Sequence, residues 1–513
     1  MKRNDKNDLF TKLLKELKIS RRSFIGFLAG SSATLLLEKN VFALHLESSK
    51  PKVIQIRNED SVFWDFTSGW HGDYVDQKIV DSMVDRAIIE LTGIMNVGRA
   101  WASIIPGYIP GKKIAIKVNF NNCGKCNDQD NNIDALAEPV NAVIRGLLCA
   151  GVEINDIWVY DAVRVIPRRF LNKIKFKGIE TWARYTSCGS KKALFSGKAP
   201  GSVINFTKQG VRSQIVTDVL VNADYLINMP ITKAHGGAGI TLAYKNHFGS
   251  IIRCFYLHDW TYIYKSNFSP NWNPLVEIMA NRHIGGKTVL TIADCLFGHW
   301  WSNTSVPPRW KTFANKSPGI ILMSKDPVAI DCVQRDILWK ERKGKPNAEA
   351  YLKLAAQAGQ GVYEATPGAQ GYQKINHINI NLKGCGYFET YGQGKPGSGG
   401  KVPFITCCGI PSPGSNIAIK ILDAKPNSTA CLIVGTKKAN VNTPFGTLFV
   451  DQIIFSFLIP IDSKGKGDFT VPIPSDSLFI GKEFTLQAFI FDNNAQNSIA
   501  HSSGLLLHIG KKL

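Results

Sequence analysis

No stretch of this 513-residue chain reaches the roughly 20 consecutive apolar residues that a membrane-spanning helix requires. Acidic residues are the scarce charge. Only 40 Asp and Glu stand against 61 Lys and Arg, so the net charge is +21. A field of one sign favours anionic partners: acidic glycans, lipid headgroups, nucleic acid or small acids. The lysines are scattered and no long basic run occurs, so the same charge also serves solubility. Nucleic-acid-binding motifs are missing, and no nucleic-acid partner is expected. The glycine-rich segments match no nucleotide fingerprint. Only one closely spaced cysteine pair, Cys123-Gly-Lys-Cys126, has ligand or redox spacing. A zinc or iron–sulfur site needs more ligands than one pair, so the cysteine spacing does not support an iron–sulfur cluster. The cofactor stays unknown. A metal ion at Cys123 and Cys126 is the one candidate that the spacing offers.

What the chain does have begins at its N-terminus. The polar, basic segment ends in Ser20-Arg21-Arg22-Ser23-Phe24, and an apolar stretch runs from Phe24 to Leu37. At 14 residues the stretch is too short to span a bilayer and suits the apolar region of a signal. Val41-Phe42-Ala43 offers small residues at a cleavage site. Adjacent arginines before an apolar run resemble the twin-arginine export pattern. Residues 1–43 are therefore expected to be a twin-arginine signal, with its translocon as partner and the periplasm or cell surface as destination. Removing them leaves a chain of net charge +16 with no membrane-spanning segment expected. This route exports folded proteins, and folding in a reducing cytoplasm does not usually rely on disulfides. The chain has eleven cysteines, and the odd count leaves at least one outside any intrachain pairing.

From residue 50 to about 385, strand-like and helix-like runs alternate. Lys113–Asn119, Ile157–Asp161, Tyr225–Asn228, Thr288–Asp294 and Ile320–Ser324 read as strands. Glu138–Ala150, Asn273–His283, Pro327–Glu341 and Ala348–Ala358 read as helices. Such alternation predicts an α/β domain with a mostly parallel sheet flanked by helices. Residues 386–415, rich in Gly, Pro and Ser, read as a linker. Short alternating strands over 416–513 predict a C-terminal β-sandwich.

In open α/β sheets, ligands bind at the carboxyl ends of strands. Lys117 and Asn119 share one side of the first strand by its two-residue period. Asp161, Asn228 and Asp294 close three others. Each can be a turn-former by itself; together they suggest a shared crevice. The richest segment, Asn228 to Ile251, carries Lys233 and His235 before Gly236-Gly237-Ala238-Gly239, then Thr241, Lys245, Asn246 and His247. A helix is expected to start after these glycines, with free N–H groups that would favour an anion. The candidate catalytic groups are His235, Lys233 and Asp294. The candidate ligand-binding groups are Lys117, Asn119, Asp161, Thr241, Lys245 and Asn246. Asp326-Pro327 reads first as an N-cap followed by proline at the first helical position. His299-Trp300-Trp301 offers either a stacking surface for a sugar or core packing.

The stretch ADYLINMPITKAHGGAGITLAYKNHFGSI resembles the central motif of the domain-of-unknown-function 362 family. KIAIKVN, EPVNAVIRGLLCAGVEINDIWVYD, the strand ending in Asp294 and DPVAID follow in the family's order. The resemblance covers roughly residues 50–385, and Lys117, Asn119, Lys233, His235, Lys245, Asn246 and Asp326 are the matching positions. It implies the α/β fold but no activity. Many members carry a ferredoxin-like cysteine run, which is absent here.

Two functions remain open on the sequence. One is an exported enzyme or cofactor-binding protein acting on an anionic small molecule at a Lys/His/Asn/Asp-lined crevice. The other is a non-catalytic envelope or surface protein that holds acidic polymers, such as acidic glycan, through its basic surface and β-sandwich.

Overall fold

The computed structural model describes residues 50–342 and 349–512, so the expected signal lies outside the described residues. Two units follow one another, an α/β unit ending at Lys383 and a β unit beginning at Gly384. Among the described residues no helix is long and apolar enough to cross a membrane.

The α/β unit contains β1 (Lys52–Arg57), β2 (Ile114–Lys117), β3 (Ile157–Asp161), β4 (Glu180–Ala183), β5 (Lys191–Lys192), β6 (Val203–Ile204), β7 (Gln214–Ile215), β8 (Tyr225–Asn228), β9 (Ile231–His235), β10 (Gly239–Thr241), β11 (Thr288–His299), β12 (Ile320–Ser324) and β13 (Asn376–Asn381). Its helices are α1 (Gln77–Thr92), α2 (Val97–Ala102), α3 (Ala137–Cys149), α4 (Arg168–Leu171), α5 (Asp218–Asn222), α6 (Ala243–Asn246), α7 (His258–Thr261), α8 (Pro274–Ala280), α9 (Pro327–Arg342) and α10 (Glu349–Gln357). Eleven strands form one sheet in the order β13-β1-β12-β11-β8-β2-β3-β4-β5, with β9 added to β11 and β10 to β9. The run from β11 to β5 is parallel, and β12 lies antiparallel to both its neighbours. The central strands are apolar on both faces because both faces are covered. All four residues of β2 are buried, as is every residue of α3.

Sheet order fixes where a ligand would sit. β2 leads through α3 to β3 on one side, and β8, on the other side of β2, leads away toward β9 and β11. Neighbouring strands whose connections diverge leave a crevice beyond their carboxyl ends. Lys117 ends β2, Asp161 ends β3 and Asn228 ends β8.

Three buried carboxylates tie helices of this unit together. Arg145 of α3 meets Asp85 of α1 at 2.6 Å and Asp81 at 3.4 Å. Asp331 of α9 accepts the Ala243 N–H at 3.0 Å and the Tyr244 N–H at 3.4 Å. Asp326 caps α9 as the sequence suggested, accepting from Val328 and Ala329 at 2.9 and 2.8 Å.

The β unit contains β14 (Tyr387–Tyr391), β15 (Phe404–Cys408), β16 (Asn416–Leu422), β17 (Thr429–Thr443), β18 (Gly446–Pro460), β19 (Gly467–Pro472), β20 (Glu483–Phe491), β21 (Ile499–His501) and β22 (Gly504–His508). One antiparallel sheet runs β14-β22-β20-β17-β18 with β21 on β20, and the other runs β15-β16-β19. Ile405, Ile417 and Ile419 of the smaller sheet share one apolar cluster with Leu432, Ala488 and Leu505 of the larger. That is a sandwich core. The segment 386–415, expected to be a linker, contributes β14 and β15 to this sandwich.

Candidate functional site

The polar strand ends converge. Lys117 Nζ lies 3.3 Å from Asp161 Oδ2 and 3.3 Å from Asn246 Oδ1, and it also donates to the Val118 carbonyl. Asn119 Nδ2 donates to Asn246 Oδ1 at 3.0 Å, and Asn246 Nδ2 donates to Asn228 Oδ1 at 2.8 Å. Lys233 Nζ donates to Asn119 Oδ1 at 2.9 Å. One network thus links the ends of β2, β3 and β8 with β9 and α6. Gly249 is required against it: a Cβ there would stand 2.5 Å from Lys117 Nζ and 2.8 Å from Asp161 Oδ1.

Above the network opens a cavity of about 340 Å³. Lys117, Asn119, Asp161, His235, Thr241, Lys245 and Asn246 line it, seven of the nine catalytic and ligand-binding candidates read from the sequence. Lys233 stands behind Asn119 rather than in the wall. Asp294 lies apart on β11. Its carboxylate accepts the Leu296 N–H at 2.9 Å, and burial, with Glu138 nearby, pushes it up to about 7. Asp294 therefore does not share the crevice.

Three further expectations change. The glycines 236–239 do not start a helix: they turn the chain between β9 and the antiparallel β10. Helix α6 begins only at Ala243, and the Asp331 carboxylate already occupies its first N–H groups. Second, Cys126 is bonded to Cys188, while Cys123 is buried with its thiol near the Lys125 carbonyl at 3.3 Å. Cys123 and Cys126 thus do not present two thiolates to a metal. Among the described residues, no group of three or more His, Cys, Asp or Glu side chains is arranged to hold a metal ion. Third, His299 is buried and Trp300 and Trp301 meet at 65°, so the aromatic trio forms no flat platform.

The sequence reading missed the arginines. Arg164, Arg184 and Arg253 line the cavity from three different loops, together with Cys254 and His258. Arg253 sits in the left-handed region at φ 54°, a conformation that costs a non-glycine residue energy and is often kept where a side chain must be aimed. No carboxylate pairs with any of the three among the described residues; Asp161, the one acid in the wall, faces Lys117.

Electrostatics separate the three buried lysines. Burial lowers the Lys117 ammonium, and Asp161 works against that. Burial lowers Lys233 too, with Asp134 opposing. Burial lowers Lys245 to about 8; the neighbouring Cys254 thiol opposes this, while Lys233 and Arg164 add to it. Lys245 Nζ has aromatic faces near it, Phe248 at 4.2 Å and Tyr262 at 5.9 Å, but no hydrogen-bond acceptor or carboxylate among the described residues. The Thr241 hydroxyl, also in the wall, is buried without a partner.

His235 is fixed as a donor. Its Nδ1 accepts the Gly237 and Ala238 N–H groups, both at 3.1 Å. Backbone N–H groups only donate, so Nδ1 is bare and the neutral ring carries its proton on Nε2. Burial and Lys245 hold the ring well below its usual pKa. It is therefore not poised as a general base through Nδ1.

A larger groove of about 990 Å³ lies along Lys50–Lys52, Ser324–Pro327 and Gly371–His377. Three of its polar groups are already engaged. Lys52 Nζ donates to the Glu90 carbonyl at 3.1 Å, Asp326 is the cap described above, and Tyr372 donates to Asp336 at 2.6 Å. The smaller cavity differs in that polar groups without a hydrogen-bond partner, Lys245 and Thr241, are buried in its wall.

Residues 114–336 match the family model of the domain of unknown function DUF362. The match takes in every residue of the cavity wall, but not β1 or β13, which complete the same sheet. No curated protein matches the chain. Among solved structures, beta-D-glucoside glucohydrolase from Trichoderma reesei is 10% identical, with 80% of this chain and 55% of that chain covered and a TM-score of 0.14. The chain thus spans about half the length of that protein, and a likeness so slight carries no argument.

Proposed function

We propose that the α/β unit binds a small anionic ligand in the cavity at the ends of β2, β3 and β8, as an enzyme or cofactor-binding protein. One observation carries the reading. Lys245 and Thr241, each more than nine-tenths buried, line the cavity without a hydrogen-bond partner from the protein, Lys245 having only the Phe248 ring and the Cys254 thiol beside it, in a wall with three arginines that no carboxylate neutralises. An unpaired buried ammonium is costly, and an anion that accepts from it relieves the cost. The Lys117–Asp161 pair is spent internally and orients Asn119 and Asn246. A phosphate or carboxylate group matches the donor set.

Calorimetric titration of the full chain with inorganic phosphate tests this. A saturable one-site heat that weakens with added salt is expected. Replacing Arg164 and Arg253 by Gln should weaken binding by about tenfold or more, since each charged hydrogen bond contributes roughly 1.5–3 kcal/mol. No saturable heat at ~10 mM phosphate, where even weak ligands register, would overturn the reading.

We further propose that the chain is exported through the twin-arginine route. The Ser20-Arg21-Arg22-Ser23-Phe24 pattern supports this, and the Cys126–Cys188 bond suits an oxidising compartment. Replacing Arg21 and Arg22 by Lys should retain the chain in the cytoplasm; unchanged export would refute the route.

A further inference from the structure

The cavity has three lysines in or beside it, and only Lys245 is without a hydrogen-bond acceptor. Lys117 is held by Asp161, Asn246 and the Val118 carbonyl, and Lys233 by Asn119 with Asp134 nearby. An ammonium so held cannot present a lone pair. Lys245 has no acceptor, is 7% exposed and stands against the Phe248 ring in the cavity wall. A lysine in such surroundings is a nucleophile for carbonyl groups.

We propose that Lys245 forms a Schiff base with an anionic carbonyl compound, a 2-oxo acid or a phosphorylated aldehyde, whose anionic group the arginine rim holds. The inference rests on the anion-binding reading above and names the substrate class of the same site. Neutral Nζ attacks the carbonyl carbon, and the carbonyl π pair moves to oxygen, which takes up a proton. The carbinolamine then loses that oxygen as water. Both amine hydrogens leave in the water, and a C=N bond joins Lys245 to the ligand. No oxidant or reductant is needed. His235 lines the same cavity with its Nε2–H unspent, and that donor is placed to hydrogen-bond the carbonyl oxygen. The depressed basicity of Lys245, about 8, agrees with this chemistry by leaving a usable neutral fraction at mildly alkaline pH.

The test incubates the full chain with glyoxylate and sodium cyanoborohydride, which reduces any imine to a stable secondary amine, and maps the adduct by mass spectrometry. One adduct per chain at Lys245 is expected, formed roughly tenfold or more faster than at any other lysine because ordinary lysines are almost wholly protonated. Inorganic phosphate should slow it in the wild-type chain. K245R should abolish the adduct, and R164Q with R253Q should slow it. Adducts spread over exposed lysines, with Lys245 unmodified, would overturn the Schiff-base proposal. If phosphate binding persists in that case, the anion-binding reading stands without it. If Lys245 reacts equally well with acetaldehyde and phosphate gives neither heat nor protection, the anion-binding reading fails and the substrate class assigned here falls with it. Should K245R not fold, phosphate protection in the wild-type chain still decides between these results.

Discussion

Each unit contains a lysine–aspartate pair, and the two pairs do different work. Lys425 and Asp492 of the β unit meet at 2.7 Å, with the lysine 31% exposed. Lys117 and Asp161 of the α/β unit meet at 3.3 Å, with exposures of 0% and 3%. In the shorter pair only the lysine is open to water; Asp492, 1% exposed, also accepts the Ser398 N–H at 2.7 Å and the Asn494 N–H at 3.2 Å. The longer pair is sealed under a cavity, where its loss would strand a charge. The contrast extends to neutral groups. Among the described residues, every buried side-chain nitrogen or oxygen without a partner lies in the α/β unit. Buried polar groups of the β unit are satisfied: Gln487 accepts from Phe449 N at 2.8 Å and donates to the Thr447 carbonyl at 2.9 Å. The sandwich closes its buried hydrogen bonds, whereas the α/β unit leaves some open, the Thr241 hydroxyl in the cavity wall among them.

The largest expected effect breaks the buried pair. Replacing Lys117 by Met should cost about 3–5 kcal/mol in urea unfolding, because Asp161 would remain buried without its ion-pair partner. Replacing Lys425 by Met should cost less, about 1–2 kcal/mol, because Asp492 keeps the Ser398 and Asn494 N–H groups as donors. Equal costs would erase the contrast.

Next comes Asp294, whose carboxyl titrates at about 7 in the folded chain because it is buried. The unfolded carboxyl titrates near 3.9, so between about pH 4 and 7 the folded chain holds the extra proton and loses stability as pH rises. Replacing Asp294 by Asn should leave stability unchanged at pH 4 and raise it by up to a few kcal/mol at pH 8, as read from urea midpoints. A gain at pH 4 with none at pH 8 would reverse the assigned direction. Phosphate binding should be unaffected, since Asp294 lies outside the cavity.

A third substitution sharpens the comparison from the cavity side. Gly249→Ala places a methyl group against Lys117 and Asp161. It should cost roughly 1–3 kcal/mol of stability and weaken phosphate binding as well. Gln487→Ala should cost a similar roughly 1–3 kcal/mol while leaving phosphate binding untouched, and calorimetry on both variants separates the two. The smallest effect on phosphate binding belongs to the Cys126–Cys188 bond. Serine at both positions should lower the melting temperature yet change phosphate affinity only slightly, because neither cysteine lines the cavity.

Much of this arrangement could be read from the sequence, for definite reasons. Strand ends are local signals, so β3, β8 and β12 fall where IWVYD, YLIN and IILMS end, and Lys117, Asn119 and Asp161 come with them. Parallel order was implied by alternation. What stayed hidden depends on long-range pairing. Gly236–Gly239 read as the start of a helix, but β9 and β10 pair instead because buried Ile240 and Leu242 follow a strand pattern. The role of Asp331 depends on α6 arriving at its carboxylate from 88 residues away. Cys188 lies 62 residues from Cys126, beyond any spacing argument. The arginines come from three loops, and a loop arginine looks like any surface charge until the fold closes. β14 and β15 were obscured by the glycine-rich run between them.

Anion binding as proposed depends on Lys245 being a buried ammonium without a hydrogen-bond acceptor of its own. Selective carbon-13 labelling of lysine side chains, with the Lys245 resonance assigned by its loss in K245R, measures this directly. The signal should titrate near 8 in the free chain, following the burial described above, and move upward when inorganic phosphate is added. A Lys245 that titrates like an exposed lysine, unmoved by phosphate, would contradict the account.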